Sequence, residues 1–126
     1  MAVNYVASLK TTRMTSVITA IDVHANPATL EICTAAFAAI LVTITLSDPS
    51  FTVAGSVITM AGAPKSGVAG NTGTAAVARI KEGGGTTVVD NLTVAAPSGG
   101  DINLNSTSIT SGQTVTITSG TITHAA

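Results

Sequence analysis

The sequence predicts a mainly β domain, an antiparallel β-sandwich or jelly-roll-like barrel of about seven or eight strands with one N-terminal amphipathic helix. The first observation is the alternation of apolar and hydroxyl side chains along DINLNSTSITSGQTVTITSGTIT, residues 101–123. A period of two indicates strands with one buried and one polar face. The second is the length of 126 residues, which suits one domain with its own core, so residues 1–126 are predicted to be a single domain.

The helix is predicted over residues 4–25, NYVASLKTTRMTSVITAIDVHA. Four apolar residues recur at the helical spacing i, i+3, i+4 and i+7, and they form one stripe: Met14, Val17, Ile18 and Ile21. Asn4 is a candidate N-cap. The helix is predicted to end at Asn26-Pro27, because proline disfavours a helical conformation in the residue before it.

The β-sandwich is predicted over residues 29–123. Its strands are expected at 29–34, 40–46, 51–53, 56–60, 74–81, 86–94, 101–109 and 113–123. Turn signals separate several of them, as at Ser47-Asp48-Pro49, Ala54-Gly55 and EGGG over 82–85. Strands 74–81 and 86–94 are predicted to pair as one hairpin, and strands 101–109 and 113–123 as another. Residues 61–73, rich in Gly, Pro and Ala, are predicted to be a loop.

Charged residues are scarce in this chain. They make up 9% of it and aromatic residues 2%, whereas an average domain is about 25% charged. The core is therefore expected to consist of Val, Ile, Leu and Ala, and a surface with so little charge predicts coverage by partner subunits. The basic residues are scattered, which argues against nucleic acid as a partner: Lys10, Arg13, Lys65, Arg79 and Lys81.

Neither a disulfide nor a membrane segment is expected. The single cysteine, Cys33, is predicted to be a small buried apolar residue. The N-terminus MAVNYVASLK lacks the pattern of a secretory signal. The most apolar run, residues 35–46, is shorter than the roughly 20 residues that span a membrane, and it is read as a loop leading into a buried strand.

No catalytic or metal-binding pattern is present in the sequence. His24 and His124 are the only histidines, and no acidic pair or nucleophile motif stands out. Asp101, Asn103 and Asn105 alternate along one strand, but their spacing of about 6.6 Å is too wide for one Ca²⁺ ion to be shared. The chain is therefore predicted not to be an enzyme and to use no cofactor, metal or small-molecule substrate.

Several segments resemble a family of small virion proteins of tailed bacteriophages and prophages. These are ASLKTTRMTSVITAIDVHA with LEICT and LVTITLSDPSF, then GTAAVARIKEGGGTTVVDNLTV, and finally DINLNSTSITSGQTVTITSGTIT. The resemblance covers nearly the whole chain, and its motifs are structural. It implies a capsid decoration (cement) protein that is made in the host cytoplasm and located on the capsid surface.

The resemblance implies the major capsid protein as a partner, together with self-association as a dimer or trimer. The helix and segment 61–73 are the first candidates for the contact surface, with Met14, Val17, Ile18, Pro64, Lys65 and Val68 as candidate contact residues. A tail or head–tail junction protein is the alternative within the virion.

A carbohydrate-binding β-sandwich is the alternative outside the virion. Sugar sites use exposed aromatic rings for stacking, and this chain has only three aromatic residues, Tyr5, Phe37 and Phe51. The composition therefore disfavours this alternative.

Overall fold

The computed structural model describes residues 5–47 and 49–123 and confirms a mainly β fold with one N-terminal helix. Helix α1 spans Ala7–Ile21. The strands are β1 Thr29–Cys33, β2 Ile40–Thr45, β3 Phe51–Ala54, β4 Val57–Met60, β5 Lys65–Val68, β6 Gly73–Thr74, β7 Val77–Lys81, β8 Thr87–Ala95, β9 Ile102–Leu104, β10 Ser108–Ile109 and β11 Thr114–Thr123. A short 3-10 helix, Ala35–Phe37, precedes β2, as expected for a loop that leads into a buried strand.

Helix α1 is shorter than predicted and is held in place by tertiary packing. Asn4 lies outside the described residues, and Val6 occupies the N-cap position without a side-chain hydrogen bond. The helix contacts β3, β4 and β8 through its apolar stripe. Five hydroxyl groups of the helix donate hydrogen bonds to the backbone carbonyl four residues earlier, at 2.9–3.1 Å. They belong to Thr11, Thr12, Thr15, Ser16 and Thr19.

One curled sheet forms most of the molecule, in the order β2-β1-β7-β8-β9-β11-β4-β3. Neighbours pair antiparallel, with the exception of β8 and β9, which are parallel. The long strand β11 has two partners along one edge, because β5 pairs with residues 114–117 and β4 pairs with residues 121–123. The predicted antiparallel pairing is therefore found throughout this sheet except at the β8–β9 pair, so the sheet is mixed.

Strand β5 brings the sheet back towards its first edge. Gly67 lies against β2 so closely that a Cβ atom there would be 3.1 Å from Ile44 Cγ1 and 3.2 Å from the Thr43 carbonyl oxygen. Just beyond β5, the Gly70 N–H donates to the Leu41 carbonyl at 2.9 Å, and Asn71 Nδ2 donates to the Ile40 carbonyl at 2.7 Å. These contacts cover the β2 edge and give the sheet its barrel-like form.

Two predictions about connectivity are corrected. Segment 61–73 contains β5 and the start of β6 instead of a loop, and its partners are distant in sequence. The final hairpin is only partly formed, because β9 pairs with β11 whereas Ser108–Ile109 leaves that pair and bonds to Gly73–Thr74. Ile109 is thereby buried, which accounts for the departure from the hairpin.

The core is built from aliphatic side chains, as the composition predicts. Its largest buried members include Leu30, Ile32, Ile80, Ile102, Leu104 and Ile117, each fully buried, and Phe51 is the aromatic residue among them. Helix residues Met14 and Ile21 complete the same cluster. A single continuous core therefore joins α1 to the strands.

Cys33 is buried on β1, which confirms its predicted environment. Burial raises the pKa of the Cys33 thiol, nearby Glu31 raises it further, and the cations Arg79 and Lys81 oppose both. Because the unfolded chain releases this proton at a lower pH, the folded state loses stability as the pH rises above the ordinary thiol pKa of about 8.5.

We expect iodoacetamide to modify Cys33 only after unfolding, as measured by mass spectrometry with and without denaturant. We also expect denaturant unfolding to show lower stability at about pH 9.5 than at about pH 7.5, with a smaller difference in Cys33→Ala. Rapid alkylation of the folded protein would contradict the burial.

Candidate contact surface

An uncharged outer face covers neighbouring parts of β2, β5 and β11. Its residues point away from the core and carry hydroxyl or methyl groups: Thr43, Thr45, Ser66, Val68, Thr114, Thr116 and Thr118. Cross-strand pairing places Val68 opposite Thr114 and Ser66 opposite Thr116. We call this set of seven residues the uncharged face.

Most hydroxyls of the uncharged face are available to a partner. Thr118 Oγ1 donates to the Asn103 carbonyl at 3.2 Å. The other hydroxyls of the face form no hydrogen bond with the residues that the structure describes. Val68 adds an apolar group that is 67% exposed. The face therefore offers hydrogen-bonding groups and methyl groups without the desolvation cost of a charge.

The structure divides the predicted contact residues into two groups. Met14 is only 3% exposed, and Val17 and Ile18 pack against the core, so the apolar stripe of α1 serves the protein's own interior. Val68 belongs to the uncharged face, and Pro64 is exposed just before β5.

Lys65 lies at the first position of β5 and is half-buried. Its Nζ donates to Ser47 Oγ at 2.5 Å, so this predicted contact residue also ties β5 to the end of β2. The threonines of β2 and β11 were not among the predicted contact residues. Their alternation in the sequence was the signal that could have identified them.

The polar residues of DINLN each hold a different backbone group. Asp101 Oδ2 accepts from the Thr93 N–H at 3.1 Å, Asn103 Oδ1 from the Gly100 N–H at 2.9 Å, and Asn105 Oδ1 from the Thr116 N–H at 3.3 Å. These bonds tie β9 to its surroundings where the pairing is irregular. Their side-chain oxygens are therefore used for structure.

A small cleft follows the end of α1. It has a volume of about 90 Å³ and is lined by Asp22, His24, Ala25, Asn26, Pro27, Ala28 and Ser47. Asp22 Oδ2 accepts from the Ser50 N–H, and His24 Nδ1 accepts from the Asn26 N–H. Ligand pockets usually measure about 300–1,000 Å³, so the cleft is small for an organic ligand.

Metal-ligating residues do not cluster in the part of the chain that the structure describes. No group of three or more His, Cys, Asp or Glu side chains comes together within residues 5–47 and 49–123, and His124 lies outside them. No described helix is long and apolar enough to cross a membrane. No protein-family model, curated protein or solved structure matches this chain.

Proposed function

We propose that this chain is a structural virion protein of a tailed bacteriophage, which decorates the capsid and binds the shell of major capsid protein. The uncharged face on β2, β5 and β11 is the observation that carries the proposal. The sequence resemblance to small phage virion proteins supplies the kind of partner. Self-association as a dimer or trimer belongs to the same proposal.

The uncharged face suits repeated, individually weak contacts. Burial of its methyl groups contributes roughly 25 cal/mol of binding free energy per Å² of apolar surface. Its free hydroxyls exchange hydrogen bonds with water for hydrogen bonds with the partner. On a closed shell each protein copy meets an equivalent site, and linked copies gain from a high effective concentration. Weak contacts of this kind then add up to stable attachment without any catalytic group.

The copy number in purified particles tests this proposal. A decoration protein should be present at on the order of hundreds of copies per particle, because it follows the symmetry of the shell. A tail or head–tail junction protein, the alternative location, should be present at about a dozen copies or fewer. Quantitative gel analysis of particles from the bacterium that carries this gene distinguishes the two, and absence of the chain from particles would contradict both.

We expect Val68→Glu to fold normally and to reduce incorporation into particles by about tenfold, since it places a charge within the uncharged face. Val23→Glu is the matched control, because Val23 is also 67% exposed but follows α1 and does not belong to the uncharged face. Circular dichroism checks folding, and quantitative gels of particles measure incorporation. Equal incorporation of the two variants would show that the uncharged face is not the contact surface.

A further inference from the structure

A charged cluster adjoins the uncharged face on the same side of the sheet. Across β2, β1 and β7, Thr43 is paired with Glu31, and Glu31 is paired with Arg79. One row further along, Thr45 is paired with Thr29, which is paired with Lys81. Because paired residues share a face of a sheet, the outer surface passes from threonines directly to Glu31, Arg79 and Lys81.

The two cations of this cluster, Arg79 and Lys81, converge on Glu31, and the carboxylate of Asp90 on β8 also acts on Arg79. Arg79 Nε donates to Glu31 Oε1 at 2.6 Å, and Lys81 Nζ lies 3.3 Å from the same oxygen. Glu31 is almost buried, at 8% exposure, whereas the side chains of Arg79 and Lys81 remain 23% and 25% exposed. Two cations therefore share one carboxylate, and both reach solvent.

The terminal nitrogens of Arg79 remain free to bind. Within residues 5–47 and 49–123 its only hydrogen bond is the one from Nε, so Nη1 and Nη2 have no partner there. The bond to Glu31 fixes the side chain from one side. A fixed guanidinium with two free terminal nitrogens presents a planar fork that matches the two oxygens of a carboxylate.

Phe37 also contacts the guanidinium. Its ring centroid lies 5.2 Å from the Arg79 guanidinium carbon. Ala36 and Phe37 both have positive φ, at 59° and 57°, a region that bulky residues rarely adopt. Thr34 braces this turn through the Phe37 and Ala39 N–H groups. A disfavoured backbone is thus maintained where it sets an aromatic ring over Arg79, a pattern that is frequent at binding sites.

We propose that Arg79 and Lys81, with the guanidinium held by Phe37 and Glu31, form a binding site for a carboxylate side chain of the partner protein that docks on the uncharged face. Asp90 of β8 also acts on the charge of Arg79, but it forms no ion pair with Arg79 among the described residues. The free fork of Arg79 therefore remains available to the carboxylate of a single Asp or Glu. The neighbouring threonines offer no cation for the further phosphates of a nucleic acid, so a protein carboxylate fits better. The identity of the partner rests on the proposed function, whereas carboxylate binding by the isolated protein does not.

The test is an NMR titration of the isolated protein, observing the Arg79 Nε–Hε signal. The probe is N-acetyl-glutamic acid amide, and the uncharged N-acetyl-glutamine amide is its control. We expect a saturable shift with the first probe and none with the second. Arg79→Lys keeps the charge but loses the fork, and we expect binding at least about fivefold weaker, followed through backbone amides of β7. Arg13→Lys, on α1, should bind as the wild type does.

Phe37→Leu provides a second test, because it removes the aromatic ring and leaves the ion pair with Glu31 in place. We expect weaker binding of the glutamic acid probe and a broader range of Arg79 conformations. No saturable shift in the wild type, or unchanged affinity in Arg79→Lys, would overturn the proposal, as would tighter binding of inorganic phosphate than of the carboxylate probe. Such a result would leave the Val68→Glu experiment unaffected, so the two proposals fail separately.

Discussion

Ile117→Asp is expected to prevent folding of the protein. Ile117 is fully buried in β11, where it is paired with Lys65 of β5 on one side and with Leu104 of β9 on the other. A carboxylate at this position would be buried in the core beside Leu104, and the Nζ of the neighbouring Lys65 is already held by Ser47 Oγ at 2.5 Å. Burial of an unpaired charge costs several kcal/mol, which is comparable with the total stability of about 5–15 kcal/mol of a typical domain.

Thr114→Asp is the control for this substitution, because Thr114 is exposed on the same strand and points to the opposite face. We expect its stability to remain within about 0.5 kcal/mol of the wild type, as is usual for surface changes. Far-UV circular dichroism and thermal denaturation measure both variants. A folded Ile117→Asp with a melting temperature near that of the wild type would show that Ile117 does not face the core.

The inward position of Ile117 could be predicted because alternation in β11 is a local property of the chain. Val115 and Ile117 are buried, and the threonines between and beside them point outwards. A strand with one buried face displays this pattern whatever its neighbours are. The fold class and most strand positions were predictable for the same reason, as was the β7–β8 hairpin with its glycine-rich turn.

Strand β5 could not be predicted from local pattern, since its two inward positions hold a lysine and a glycine, Lys65 and Gly67. Gly67 takes the place where an apolar side chain would reveal a strand, because β2 lies too close for a Cβ atom. The same segment therefore has the composition of a loop. The parallel β8–β9 pair and the β6–β10 pair also depend on residues far apart in sequence, and no local signal specifies such partners.

The candidate contact surface was only partly predictable because an apolar stripe has two possible uses. Met14, Val17 and Ile18 form the pattern of a helix that packs on something, and the sequence does not say whether this is a partner or the protein's own sheet. Val68 was predicted as a contact residue only because it belongs to segment 61–73, which was a candidate as a whole. The outward threonines became a surface only once the fold placed β2, β5 and β11 side by side.

Gly83→Ala is expected to destabilise the protein through a backbone clash. Gly83 lies in the turn between β7 and β8, and a Cβ atom there would be 2.1 Å from the Asn26 carbonyl oxygen and 2.7 Å from its carbon. The obstacle is main chain, which cannot rotate away as a side chain can. Either the turn or the connection from α1 to β1 must move, and overpacking of this kind costs about 1–3 kcal/mol.

The expected fall in melting temperature is roughly 5–10 °C for Gly83→Ala, measured by thermal denaturation. Gly70→Ala is the control, because a Cβ atom at Gly70 would meet no atom within 4 Å and its φ is not positive. We expect Gly70→Ala to melt within about 2 °C of the wild type, because surface substitutions change stability little. At Gly83 the main chain of Asn26 occupies the space that a methyl group needs, whereas at Gly70 that space is open. Equal melting temperatures for the two variants would therefore show that the turn does not pack against Asn26.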